Sequence, residues 1–167
     1  MKIYLTLFCL LSLLLSANAQ NSDSLLKVGM ELIRQHQFEK AIPVLEKAKS
    51  LDAEKMNIRL QLAFCYTQTE QLDESIKLYQ QIIDERPDFV EGYYMLANVF
   101  LLKQEYQKAL NMSNLSIDMD DDNPDYYLVK AQVLRHMGDL KAACKNYKKA
   151  KRKGSHEAEK SMEKYCK

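Results

Sequence analysis

Four stretches of this chain align at a constant spacing of 34 residues. They are QFEKAIPVLEKAKSLDA (37–53), QLDESIKLYQQIIDERP (71–87), EYQKALNMSNLSIDMDD (105–121) and DLKAACKNYKKAKRKGS (139–155). A small residue recurs at Ala41, Ser75, Ala109 and Ala143, and a second at Gly29, Ala63, Ala97 and Ala131. Large side chains recur at Leu32, Tyr66, Phe100 and Leu134, and again at Phe38, Leu72, Tyr106 and Leu140. A period of this length marks a supersecondary unit that cannot bury its apolar face alone and must stack on copies of itself.

Composition says what that unit is made of. The 167 residues include only 4 Gly and 3 Pro. Sheet sandwiches and barrels need turn residues every few positions, so an all-β fold is excluded. Disorder is excluded as well, because 47% of the chain is hydrophobic and the net charge is +1. The remaining class is all-α with short connections. The pattern predicts helices near 22–35, 38–51, 56–69, 72–84, 89–103, 106–118, 124–137 and 140–152. Pro43 falls inside the second of these and should cost it one backbone hydrogen bond or bend its first turn. Two antiparallel helices approach closely only where side chains are small, which accounts for the small positions. The tail GSHEAEKSMEKYCK then reads as one further helix, about 156–166, N-capped by Ser155 with Glu157 and Glu159 in its first turn. A polar terminal helix suits the capping requirement of a repeat array.

The pattern resembles the tetratricopeptide repeat (TPR) family, whose unit is a 34-residue helix–turn–helix. The resemblance covers repeats at 22–55, 56–89, 90–123 and 124–157. The family's small eighth and twentieth positions are the two small series above. Its aromatic fourth position is met by Tyr93 and Tyr127, whereas Leu25 and Arg59 depart from it, and its terminal Pro is met only by Pro87. The resemblance implies an α-solenoid, a right-handed superhelix closed by the capping helix. It also implies partner binding on the concave face formed by the first helix of each repeat. On that face the matching positions put Leu26, Met30, Leu60, Phe64, Tyr94, Asn98, Leu101, Leu128, Gln132 and Arg135. The candidate contacts among these are Leu60, Phe64, Tyr94, Asn98, Leu101, Leu128 and Arg135; others serve as core. Asn98 and Arg135 stand out, because polar side chains on that face have no evident packing reason. Some family members clamp a terminal carboxylate with Lys and Asn in the first repeat. Leu26 and Met30 do not match that clamp, so this specificity does not carry over. The expected ligand is an amphipathic helix or an extended apolar peptide. The alternative is a structural subunit of a cell-envelope assembly, held by edge contacts rather than by the groove.

Residues 1–19, MKIYLTLFCLLSLLLSANA, have the layout of a secretory signal peptide. Lys2 is the charged start, the apolar run is short for a membrane span, and Ala17-Asn18-Ala19 is a small-residue cleavage site. No Cys stands at that site to take a lipid. Residues 20–167 are then the repeat domain, expected in the periplasm or outside the cell. Such compartments permit disulfides. Cys144 lies on the last repeat helix and Cys166 near the end of the capping helix, so the two meet if the cap folds back. The ending A-C-x-x-x-Y-x-K-A … Y-C also resembles one seen in exported bacterial members of the family. The alternative is two unlinked thiols. Cys65, beside Ala63 and Phe64, reads as a buried core thiol.

No catalytic, cofactor or metal constellation is expected. His36, His136 and His156 are dispersed, the glycines are too far apart for a phosphate loop, and no CxxC is present. Asp118, Asp120, Asp121, Asp122 and Asn123 begin like a calcium loop. Asn123 stands where the loop needs Gly, and Val129 where it needs Glu. These acids read instead as a solvated turn capping the helix at Pro124. The near-neutral total hides a polarity. Residues 138–167 hold 10 Lys and Arg against 4 Asp and Glu, while residues 20–137 hold 13 against 19. The basic end reads as a dipole-matched helix terminus or as a patch for an anionic protein surface or lipid headgroups. Nucleic acid is not expected, since no aromatic residues interleave with the cations.

Overall fold

The computed structural model describes residues 21–166. The expected leader at 1–19 lies outside the described residues. Within them, every regular element is an α-helix. They are α1 (21–34), α2 (Phe38–Leu51), α3 (Met56–Gln68), α4 (Leu72–Glu85), α5 (Val90–Leu102), α6 (Tyr106–Met119), α7 (Pro124–His136), α8 (Leu140–Arg152) and α9 (His156–Tyr165). Each expected helix is present, with ends displaced by at most two residues. Pro43 sits on the exposed side of α2, which runs through it unbroken. No helix among the described residues is long and apolar enough to cross a membrane.

The chain forms two compact units that divide within α4, after Leu78. In the first, Leu26, Leu45, Ile58 and Leu62 form a core through which the small residues Gly29, Ala41, Ala63 and Ser75 let the helices close up. Ser75 is polar where its counterparts are Ala. Its hydroxyl donates to the Ala63 carbonyl oxygen at 2.9 Å, so the buried oxygen carries no unmet demand. Cys65 is buried there with a free thiol, as expected.

In the second unit, Ala97, Ala109, Ala131 and Ala143 are fully buried. Leu96, Val99, Tyr126, Val133 and Tyr147 fill the space around them. Gly92, for which the repeat pattern offers no reason, is needed for close approach. A Cβ there would lie 2.5 Å from Ile83 Cγ2. Tyr93 Oη donates to the Pro87 carbonyl oxygen at 3.2 Å, which links the aromatic fourth position to the repeat-ending proline. The turn before α7 is built by its acids. Asn123 Oδ1 accepts from Asp125 N at 2.9 Å as N-cap, Asp120 Oδ1 accepts from Asp122 N at 2.9 Å, and Asp122 takes the Lys153 ammonium at 3.1 Å. Helix α9 starts as expected, with Ser155 Oγ accepting from Ala158 N at 3.2 Å.

The turn inside each repeat has one geometry. Residues 36, 70, 104 and 138 are its apex, and all are left-handed, with φ of 55°, 60°, 62° and 86°. The next backbone N–H closes each turn onto the residue five back. Gln37 N bonds Leu32 O, Gln71 N bonds Tyr66 O, Glu105 N bonds Phe100 O and Asp139 N bonds Leu134 O, at 2.8–3.0 Å. This is the Schellman ending, which satisfies carbonyls that the helix leaves open.

Candidate interaction site

The candidate face divides between the two units. In the first, Leu60 and Phe64 are half-buried on α3. The Phe64 ring meets Phe38 edge-on, with centroids 5.8 Å apart, so part of its surface is spent on packing between the first and second repeats. Met30 and Val28 on α1 are exposed.

The second unit holds the better-defined surface, on α5 and α7 with the start of α9. Tyr94 is half-buried and lies against Tyr126, with ring centroids 5.3 Å apart. Burial pushes the Tyr94 phenol upward, the Asp125 carboxylate adds to this, and Glu157 adds a smaller push. Through their charge, two carboxylates act on one tyrosine, so this part of the face carries acidic groups beside its aromatic and amide side chains. Asn98 Nδ2 donates to the Tyr94 carbonyl oxygen at 3.1 Å. Gln132 Nε2 donates to Glu157 Oε1 at 3.0 Å, joining α7 to α9. Leu101 is half-buried, while Leu128 belongs to the core at 8% exposure.

Arg135 does have a packing reason. Its guanidinium carbon lies 4.7 Å from the Tyr165 ring centroid, a cation–π contact with α9. Its side chain also bonds the Tyr147 hydroxyl, which lowers that phenol against the larger upward push of burial. Arg135 therefore holds the C-terminal helix. The sequence could not place Tyr165 beside it, because the contact spans thirty residues and depends on how α9 folds back.

Cys144 and Cys166 are joined as a disulfide, with Cα atoms 5.6 Å apart. The bridge ties the end of α9 to α8 beside Ala158 and Met162, which pack on Tyr127, Leu128, Ala131, Leu134 and Tyr147. Near the α8 C-terminus an open cleft of about 370 Å³ is lined by Asp121, Tyr127, Lys149, Arg152 and Lys153. Lys149 Nζ stands 5.0 Å from the Tyr127 ring centroid and Lys153 Nζ 5.8 Å from it.

Paired antiparallel helices repeating every 34 residues, with small residues at each crossing, define a helical-repeat protein. The chain belongs to the tetratricopeptide repeat family, whose pattern matches residues 32–99, 70–133 and 124–152. Among solved structures it is similar to "Crystal structure of MamA", with a TM-score of 0.74 and 23% identity, covering 87% of this chain and 85% of that one. Among curated proteins it is 22% identical over 136 residues to the human protein O-mannosyl-transferase TMTC1, covering 79% of this chain. It is 25% identical over 97 residues to the wheat Hsp70-Hsp90 organizing protein, covering 58% of this chain. The matched segments span 15% and 17% of those two proteins' lengths.

Proposed function

We propose that this chain is a non-catalytic protein-binding scaffold that receives a peptide segment on the first helices of its repeats. The observation that carries this is the surface around Tyr94. A half-buried aromatic ring, the amides of Asn98 and Gln132 and the carboxylates of Asp125 and Glu157 lie on α5, α7 and α9 without forming a closed cavity. Such a surface suits a segment that offers an apolar side chain to Tyr94 and a Lys or Arg to the carboxylates. Leu60 and Phe64 offer an apolar equivalent on the first unit. Membership of the repeat family supports a binding role.

Export through a cleaved leader is part of the same proposal. The apposition of Cys144 and Cys166 supports it, because such a bridge persists in an oxidising compartment.

Peptides selected from a phage-displayed library against the full chain test the reading. Selected sequences should combine an apolar residue with Lys or Arg. Their binding should fall about tenfold with Tyr94→Ala, the size of one buried aromatic contact, while helicity is unchanged. Peptides that bind the Tyr94→Ala and Glu157→Gln variants as well as the parent would overturn it. Cleavage after Ala19 is read by the N-terminal sequence of protein recovered from the native cell envelope. Retention of Met1 would refute export by this route.

A further inference from the structure

Helix α8 and its C-cap residue, Lys153, carry two kinds of cation. One kind is spent within the fold. Lys149 lies over Tyr127, Lys153 pairs with Asp122 at 3.1 Å, and Lys151 pairs with Glu159 at 2.7 Å. The other kind is Lys141, Lys145, Lys148 and Arg152. All of these are exposed, and none has a side-chain partner among the described residues.

Their spacing is four, three and four residues, which at about 100° per residue keeps them within roughly 60° of arc. At about 1.5 Å per residue they form a single file roughly 16 Å long. The opposite side of α8 (Ala143, Asn146, Tyr147 and Ala150) is buried. A surface helix with scattered lysines would pair some and spread the rest. Here the unpaired charges share one line.

We propose that this line is a second docking surface, separate from the Tyr94 face, and that its partner is an acidic α-helix. A helix with carboxylates four, three and four residues apart places one opposite each cation. The interval reads the same in both directions, so the partner helix fits parallel or antiparallel. A lipid surface fits less well. Peripheral helices hold membranes by burying an apolar face beside their cations, and the apolar face of α8 is turned into the core. The four charges are also only one helix wide, where a headgroup layer rewards a broad field.

Exposed pairs of this kind are individually weak and screened by salt, so the complex is a fast, salt-sensitive one whose specificity comes from register. The test uses the full chain and two synthetic Ala-rich helical peptides of identical composition. One has Glu at the 4-3-4 spacing and the other has the same residues spread around the helix. Vesicles of phosphatidylglycerol and phosphatidylcholine are the third probe.

The aligned peptide should bind at least about fivefold more tightly than the dispersed one, and the preference should fade as salt rises from low to about 0.3 M. The preference should vanish in the combined variant Lys141→Gln, Lys145→Gln, Lys148→Gln, Arg152→Gln. It should survive in Lys141→Arg, Lys145→Arg, Lys148→Arg, which keeps the charge, and in Tyr94→Ala. Equal binding of the two peptides would overturn the proposal. So would vesicle capture that depends on the four cations without any preference between the peptides, which would make the surface a lipid one.

Discussion

Leu45 occupies the space into which a side chain on Gly29 would have to grow. A Cβ at Gly29 would lie 2.5 Å from Leu45 Cδ2 and 2.7 Å from its Cγ, and Leu45 is fully buried. The other repeats tolerate Ala at this position. Gly29→Ala would gain about 1 kcal/mol of helix propensity but must displace Leu45 within a packed core, which costs roughly 1–3 kcal/mol. The net expectation is destabilisation, and urea unfolding of the variant checks it. Gly29→Ala paired with Leu45→Ala should relieve the clash and leave the cost of a cavity in its place.

The left-handed turns give the opposite sign at another site. Gln104 is exposed with φ of 62° and forms the apex that Gly138 forms in the last repeat. Left-handed backbone costs a residue with a Cβ roughly 1 kcal/mol relative to glycine. Gln104→Gly is therefore expected to stabilise the second unit by up to about 1 kcal/mol, and Gly138→Ala to destabilise it by a similar amount. A Cβ at Gly138 meets nothing within 4 Å, so a measured loss there isolates the backbone term. Paired denaturation curves read both changes.

The disulfide encloses a sequence separation of 22 residues. Chain-entropy arguments put the stabilisation from closing such a loop at about 3 kcal/mol. Reduction should add two protons to the intact mass and make α9 the first segment cut by trypsin, with the rest of the chain still helical. An unchanged cleavage pattern after reduction would mean that Arg135, Tyr165 and the cluster around Ala158 hold α9 without the bridge.

Burial raises the Cys65 thiol from 9.0 to about 11. The folded state therefore keeps its proton to higher pH than the unfolded chain does. The Cys65 contribution to stability is expected to be constant below pH 9 and to be lost as pH rises from about 9 to about 11, because the unfolded state ionises first. Cys65→Ala should flatten that part of the curve. A thiol reagent at pH 8 should label Cys65 only on unfolding, at a rate set by opening.

Much of the fold was legible in the sequence because its signals are local and repeated. Asn123 before Pro124 and Ser155 after Gly154 mark helix starts by their own chemistry, and both cap as their residue types dictate. The left-handed turns were harder to see. Only Gly138 advertises one, and His36, Glu70 and Gln104 look like ordinary surface residues. The signal was their 34-residue spacing from Gly138, which ties their backbone to its backbone. The candidate site was less legible. Asn98 and Tyr94 belong to a surface whose charge comes from Asp125 and Glu157 on other helices. Arg135 looked free because Tyr165 reaches it only through the fold. Gly92 needed Ile83 in place before its lack of a side chain had a meaning.

The four apex residues of the inner turns are His, Glu, Gln and Gly, no two alike, yet the backbone bonds that close those turns differ by only 0.2 Å. Copies of one unit have thus drifted apart in their letters while keeping a conformation that most letters dislike. Main-chain bonding, rather than the side chain at the bend, carries the inheritance there. The apex is consequently a place where one side chain exchanges for another at only the cost of its left-handed backbone, whereas an added residue would break the main-chain bonds that join the two helices of the repeat.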